Sequence, residues 1–185
     1  MSKRYERVER CYKSIEGKIP FVPKIALILG SGLGDYAEHL EVEGSIDYHE
    51  IQDFPVSTVS GHKGRYVFAH IGEVPVVLMQ GRVHFYEGYP IEDVVLPTRL
   101  MQRMGAEILF LTNACGSVNP AFQAGDFMLL TDHILYSVPN PLIGENLSEL
   151  GVRFPDMSEV YDSGLREKIR KAAEAMQLSL REGVY

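Results

Sequence analysis

Three short apolar runs, 25–29, 74–80 and 108–112, constrain this chain more than any other feature. Each is nearly continuous, without the alternation of a half-wet strand, so each reads as a strand buried on both faces. Segments of helical period lie between and around them. Tyr5, Val8, Cys11, Tyr12 and Ile15 recur on one helix face, and Gly17 ends the pattern. Residues 91–104 repeat that periodicity before a turn-forming Gly105, although Pro97 inside the run warns of a kink or a late start. Residues 65–70 form a strand that turns through Gly72 into 74–80. A further strand is expected over 127–131, and a brief helix over 35–39. Leu165, Ile169, Ala172, Ala173 and Met176 mark a last amphipathic helix, with Ser163 as its cap. Strands alternating with helices predict one α/β domain over residues 1–185. Its sheet is mixed, mostly parallel and twisted, flanked by helices on both faces. Gly183-Val184-Tyr185 reads as a strand that begins where the sequence stops, so the domain is expected to be incomplete at its C-terminus.

Composition excludes several classes of partner. The 185 residues suffice for one real core, and 45% are apolar, as in ordinary globular proteins. Net charge is −7, from 18 basic and 25 acidic residues with no basic block. That argues against nucleic acid and against an anionic membrane surface. An anionic ligand therefore needs a local cluster of donors. Cys11 and Cys115 stand far apart and form neither a disulfide framework nor a metal motif. Free thiols fit a reducing compartment, and a cytoplasmic location is expected. The charged N-terminus lacks the apolar core of a signal peptide, and no run approaches the length of a membrane span.

The chemistry-bearing residues cluster just after the expected strands, where open α/β sheets bind ligands. Met79-Gln-Gly-Arg-Val-His-Phe-Tyr-Glu-Gly-Tyr89 delivers Arg82, His84 and Tyr86 at alternate positions. In extended backbone these side chains share a face. Arginine offers a planar fork of donors suited to phosphate or carboxylate. Gly30-Ser31-Gly32-Leu33-Gly34 follows a strand and precedes a short helix, where exposed amides and the Ser31 hydroxyl can hold an anion. It matches neither the dinucleotide fingerprint nor the P-loop. His62 sits between glycines in Ser60-Gly-His-Lys-Gly64, and Asn113 and Ala114 close the strand over 108–112. Asp132-His133 reads as a structural hydrogen-bonded pair. No carboxylate cluster for magnesium or calcium is present, and no nucleophile elbow. The residues could together build an oxyanion cradle, with Tyr86 beside it.

Five segments in order resemble the trimeric class of purine nucleoside phosphorylases. They are Gly30-Ser-Gly-Leu-Gly34, Ser60-Gly-His-Lys-Gly64, the run from Met79 to Tyr89, Thr112-Asn113-Ala114 and Arg153-Phe-Pro-Asp-Met-Ser158. The resemblance implies phosphorolysis of purine nucleosides to free base and (deoxy)ribose 1-phosphate. It implies a nucleoside phosphorylase-like fold, a homotrimeric full-length form, inorganic phosphate as co-substrate, and no metal or organic cofactor. Ser31, His62, Arg82, His84 and the Ala114 amide match the family's phosphate contacts, with Asn113 beside that amide. Tyr86 matches a ribose contact. The group that meets charge on the departing purine belongs to a family segment beyond Tyr185, so no residue here is assigned as catalytic. Leu150 stands where the family has a phenylalanine that reaches a neighbouring subunit's site. Cys115, Ser117 and Leu135 also depart from the family's usual residues. A methylthioadenosine phosphorylase is the related alternative, and a non-catalytic phosphate-binding or assembly protein is the alternative of a different class.

Overall fold

The computed structural model describes residues 2–58 and 63–185. It comprises two compact units, Met1–Ala114 with Pro141–Leu150, and Cys115–Asn140 with Gly151–Tyr185.

The first unit is built on a five-stranded mixed sheet. Its strands are β1 (Ile25–Ile28), β2 (Val42–Asp47), β3 (Arg65–Ile71), β4 (Val74–Gln80) and β5 (Ile108–Leu111), in the order β2-β3-β4-β1-β5. β1 runs parallel to both β4 and β5, whereas β2, β3 and β4 are antiparallel neighbours. Side chains alternate between faces along each strand. Tyr66, Phe68, Val77 and Met79 therefore join one core, and Val67, Ala69, Val76 and Leu78 the other.

Helices α1 (Lys3–Ile15) and α2 (Ile91–Arg103) cover the first of these faces. α1 buries Val8, Cys11 and Ile15, and the Ser2 hydroxyl caps it by accepting from the Tyr5 amide at 3.3 Å. α2 buries Leu96, Leu100 and Met101. Pro97 neither delays nor ends α2, and its carbonyl accepts a hydrogen bond from the buried Tyr66 hydroxyl at 2.9 Å. The opposite core receives Ala37 and Leu40 from the segment around residues 34–39. That segment is a 3₁₀ helix, Gly34–His39.

Two features of this unit differ from the sequence reading. β2 escaped it, because Ile46 alone of its six residues is buried and the strand has no apolar pattern to detect. β5 is not buried on both faces: Leu109, Phe110 and Leu111 are 44%, 42% and 52% exposed. It is one of the sheet's two edge strands, paired on one side only among the described residues.

The second unit contains β6 (Phe127–Asp132), α3 (Ser163–Ala175) and β7 (Leu180–Val184). β6 and β7 pair in parallel. The final strand begins at Leu180, three residues before the Gly183 expected from sequence. The cap of α3 is Asp162 rather than Ser163. The Asp162 carboxylate accepts from the Leu165 amide at 2.7 Å, while the Ser163 hydroxyl donates to Glu159 at 3.1 Å. A carboxylate is the better partner for the positive end of a helix. Among the described residues, no helix is long and apolar enough to cross a membrane.

Candidate active site

Three parallel neighbours, β4, β1 and β5, end on the same edge of the first unit's sheet. The turns that leave them are therefore brought side by side, although they are far apart in sequence. They are the glycine turn at 30–34, the segment 81–84 and the segment 112–114.

The glycine turn is fastened to the end of β5. The Gly30 amide donates to the Thr112 hydroxyl at 2.8 Å, and that hydroxyl donates to the Ile28 carbonyl at 2.9 Å. The contact is close enough to demand glycine. A Cβ on residue 30 would lie 2.5 Å from the Thr112 carbonyl oxygen and 2.8 Å from Asn113 Cα. Gly32 has φ +84°, a left-handed conformation that side chains disfavour. Ser31, Asn113 and Ala114 are exposed on this edge.

The turn after β4 comes to the same place. Gly81 has φ +92°, and the following Arg82 donates through Nη1 to the Leu29 carbonyl at 3.2 Å. Arg82 is half-buried and His84 has extended backbone, φ −121° and ψ 151°. The strict alternation expected through Tyr86 does not hold, because a 3₁₀ turn, Phe85–Glu87, begins directly after His84. The two rings meet all the same. His84 and Tyr86 stack with centroids 4.7 Å apart and planes 18° from parallel. Tyr86 is 75% exposed.

Glu87 supplies the carboxylate behind His84, and the sequence reading gave it no role. Its side chain is only 2% exposed. It accepts from the His84 amide at 2.7 Å, the Thr58 amide at 2.7 Å, the Thr58 hydroxyl at 3.0 Å and the Ser57 hydroxyl at 3.1 Å. The His84 ring lies against it, with Nδ1 2.8 Å from Oε1. Burial alone would raise the Glu87 pKa, but the bonds from His84 and Thr58 outweigh it and hold the carboxyl down at about 2. An ionised carboxylate only accepts, so Nδ1 must carry hydrogen and Nε2 is turned away from Glu87. The sequence signal was present: Glu87 occupies the third position of a capping box begun by His84.

His62 lies outside the described residues, so its expected place in the cradle is not part of this geometry. The adjoining Lys63 forms an ion pair with Glu38 of the 3₁₀ helix. In the second unit, the Asp132 carboxylate accepts from the His133 amide at 2.8 Å rather than from its ring, and the ring contacts the Tyr161 hydroxyl at 3.3 Å instead of forming the expected acid–imidazole pair. Among the described residues, no cluster of three or more histidines, cysteines and carboxylates could hold a metal ion.

The glycine, arginine–histidine and asparagine–alanine turns thus share one strand-end edge of a mixed sheet. The chain belongs to the phosphorylase superfamily, whose family model matches residues 24–185. It is 48% identical over 180 residues to purine nucleoside phosphorylase 1 of Bacillus subtilis, covering 97% of this chain and 66% of that protein. It is 44% identical over 186 residues to the Mus musculus purine nucleoside phosphorylase, covering 98% and 64% respectively. The crystal structure of the Schistosoma mansoni purine nucleoside phosphorylase with inosine superposes with a TM-score of 0.90, at 37% identity over 97% of this chain and 65% of that one. The chain thus spans about two thirds of the length of these relatives.

Proposed function

We propose that this chain carries the phosphate-binding half of a purine nucleoside phosphorylase. The reaction is phosphorolysis of inosine, guanosine and their deoxy forms to free base and (deoxy)ribose 1-phosphate. The observation that carries this reading is the junction of three strand-end turns by the Gly30–Thr112 and Arg82–Leu29 hydrogen bonds. The junction gathers the Ser31 hydroxyl, the Arg82 guanidinium, the His84 imidazole and the backbone of Asn113 and Ala114 on one edge. In a protein of net charge −7 such a cluster is what an anion requires. Relatives add support: one purine nucleoside phosphorylase has been solved with ribose-1-phosphate, a schistosoma purine nucleoside phosphorylase with hypoxanthine, and the Schistosoma mansoni protein with inosine.

The chemistry follows from charge. As the bond to the purine loosens, the sugar gains oxocarbenium character, and phosphate must be held against the anomeric carbon. Arg82, Ser31 and the Ala114 amide orient the anion and stabilise it. Glu87 fixes the His84 ring, so that Nε2 accepts from hydrogen phosphate or, when protonated, donates to a phosphate oxygen. Tyr86, stacked on His84, meets the ribose. His62 completes the phosphate contacts by its place in the matching segment. The whole protein works as a cytoplasmic homotrimer, with phosphate as co-substrate and no metal or organic cofactor.

The test is release of hypoxanthine from inosine by the full-length protein, measured with and without inorganic phosphate. Phosphate-dependent release is expected, with inosine and guanosine preferred over adenosine and methylthioadenosine. Phosphate binding without turnover of any of the four would leave a non-catalytic phosphate-binding protein and refute the enzymatic reading. Preference for methylthioadenosine would reassign the substrate.

A further inference from the structure

The cradle turns hang on two buried residues that contribute nothing to the anion themselves. Tyr48 is 1% exposed, and its ring packs against Phe54 and Tyr66 with centroids 5.0 and 5.1 Å away. Its hydroxyl donates to the Gly81 carbonyl at 2.8 Å, and its amide to the Gly64 carbonyl at 2.9 Å. One residue thus braces the backbone immediately before Arg82 and the start of β3. Burial pushes the phenol pKa well above its ordinary value, so the hydroxyl stays a donor. Gln80 is 2% exposed. Its Nε2 donates to the Gly34 carbonyl at 2.5 Å, and its Oε1 accepts from Arg65 Nε at 2.7 Å. That amide ties the far end of the glycine turn to the last residue of β4.

We propose that Tyr48 and Gln80 are positioning residues for phosphate: Tyr48 sets the Gly81–Arg82 backbone and Gln80 sets the glycine turn. The inference rests on the phosphate reading above. Its physical basis is tolerance. Charge-assisted bonds to an anion need donors placed within about half an ångström, which a turn achieves only when its own carbonyls are held. Gly81 lies in the left-handed region and Gly34 ends a turn of three glycines, so neither turn is stiff by itself.

The structure provides its own matched control. Tyr66 is also fully buried, and its hydroxyl also donates to a backbone carbonyl, that of Pro97 within α2. Tyr48→Phe and Tyr66→Phe each delete one hydrogen bond from a buried ring to a backbone carbonyl and keep the ring. Calorimetric titration with inorganic phosphate, together with thermal unfolding, separates structure from positioning. Both variants should lose similar thermal stability. Only Tyr48→Phe should raise the phosphate Kd, by roughly fivefold, the equivalent of one neutral hydrogen bond. Gln80→Met, of similar length but unable to hold Gly34, should raise it likewise and gives a second reading should Tyr48→Phe fail to fold. Phosphate affinity in both variants equal to that of Tyr66→Phe overturns the inference while leaving the site intact. A wild-type protein that binds no phosphate removes the cradle itself, and the inference with it.

Discussion

Replacing Glu87 with glutamine tests the core of the site through stability alone, without any assumption about substrate. The carboxylate is held at about 2 against an ordinary 4.5. Its side chain is almost wholly buried, so solvent screening is slight. At 1.36 kcal/mol per pKa unit, the depressed value corresponds to about 3 kcal/mol of folding stability at neutral pH. The sign follows from linkage. A depressed carboxyl stabilises fully above its unfolded pKa, and the contribution is lost as pH falls from about 4.5 towards 2. Glu87→Gln mimics the protonated acid in size and charge. The wild-type chain should therefore exceed the variant by about 3 kcal/mol at pH 7, with the gap narrowing to about half that at pH 3. Urea unfolding of both proteins at the two pH values measures the gap, and other titrating carboxylates cancel in the difference. A gap that stays constant between pH 7 and pH 3 would show that Glu87 is not the ionised anchor of His84.

Three further outcomes are expected. Gly30→Ala places a methyl 2.5 Å from the Thr112 carbonyl oxygen, so it should cost about 1–3 kcal/mol by forcing backbone apart, and a wild-type urea midpoint would contradict the packing described. Arg82→Lys should weaken phosphate dependence on the order of 2 kcal/mol, since an ammonium cannot reproduce a two-pronged guanidinium contact. Unchanged phosphate kinetics would take Arg82 out of the cradle. Cys11 is buried, its thiol pushed up to about 11 by that burial, whereas Cys115 is exposed. A thiol reagent should therefore modify one cysteine in the native protein and two after denaturation; two fast-reacting native thiols would place Cys11 at the surface.

Much of the fold was legible because the strongest signals are local. Periodicity located α1, α2 and α3, and apolar runs located β1, β3, β4, β5 and β6. β2 was missed because five of its six residues are not buried, so it pairs through its backbone and leaves little trace in side-chain pattern. The Ser163 cap was misplaced by one residue because Asp162 and Ser163 are both good caps and only backbone direction chooses between them.

The site divides in the same way. The residue types that suit an anion, Ser31, Arg82, His84, Asn113 and Ala114, could be read from the chain, because each follows a recognisable strand and each kind of donor has its own chemistry. Their convergence could not. It depends on β1 lying between β4 and β5, an order set by long-range parallel pairing. Sequence also left Glu87, Tyr48 and Gln80 without roles. A carboxylate, a phenol and an amide acquire function only from what they face once buried: the His84 ring, the Gly81 carbonyl and the Gly34 carbonyl. Burial removes water as a competing partner, and tertiary packing alone decides which partner replaces it.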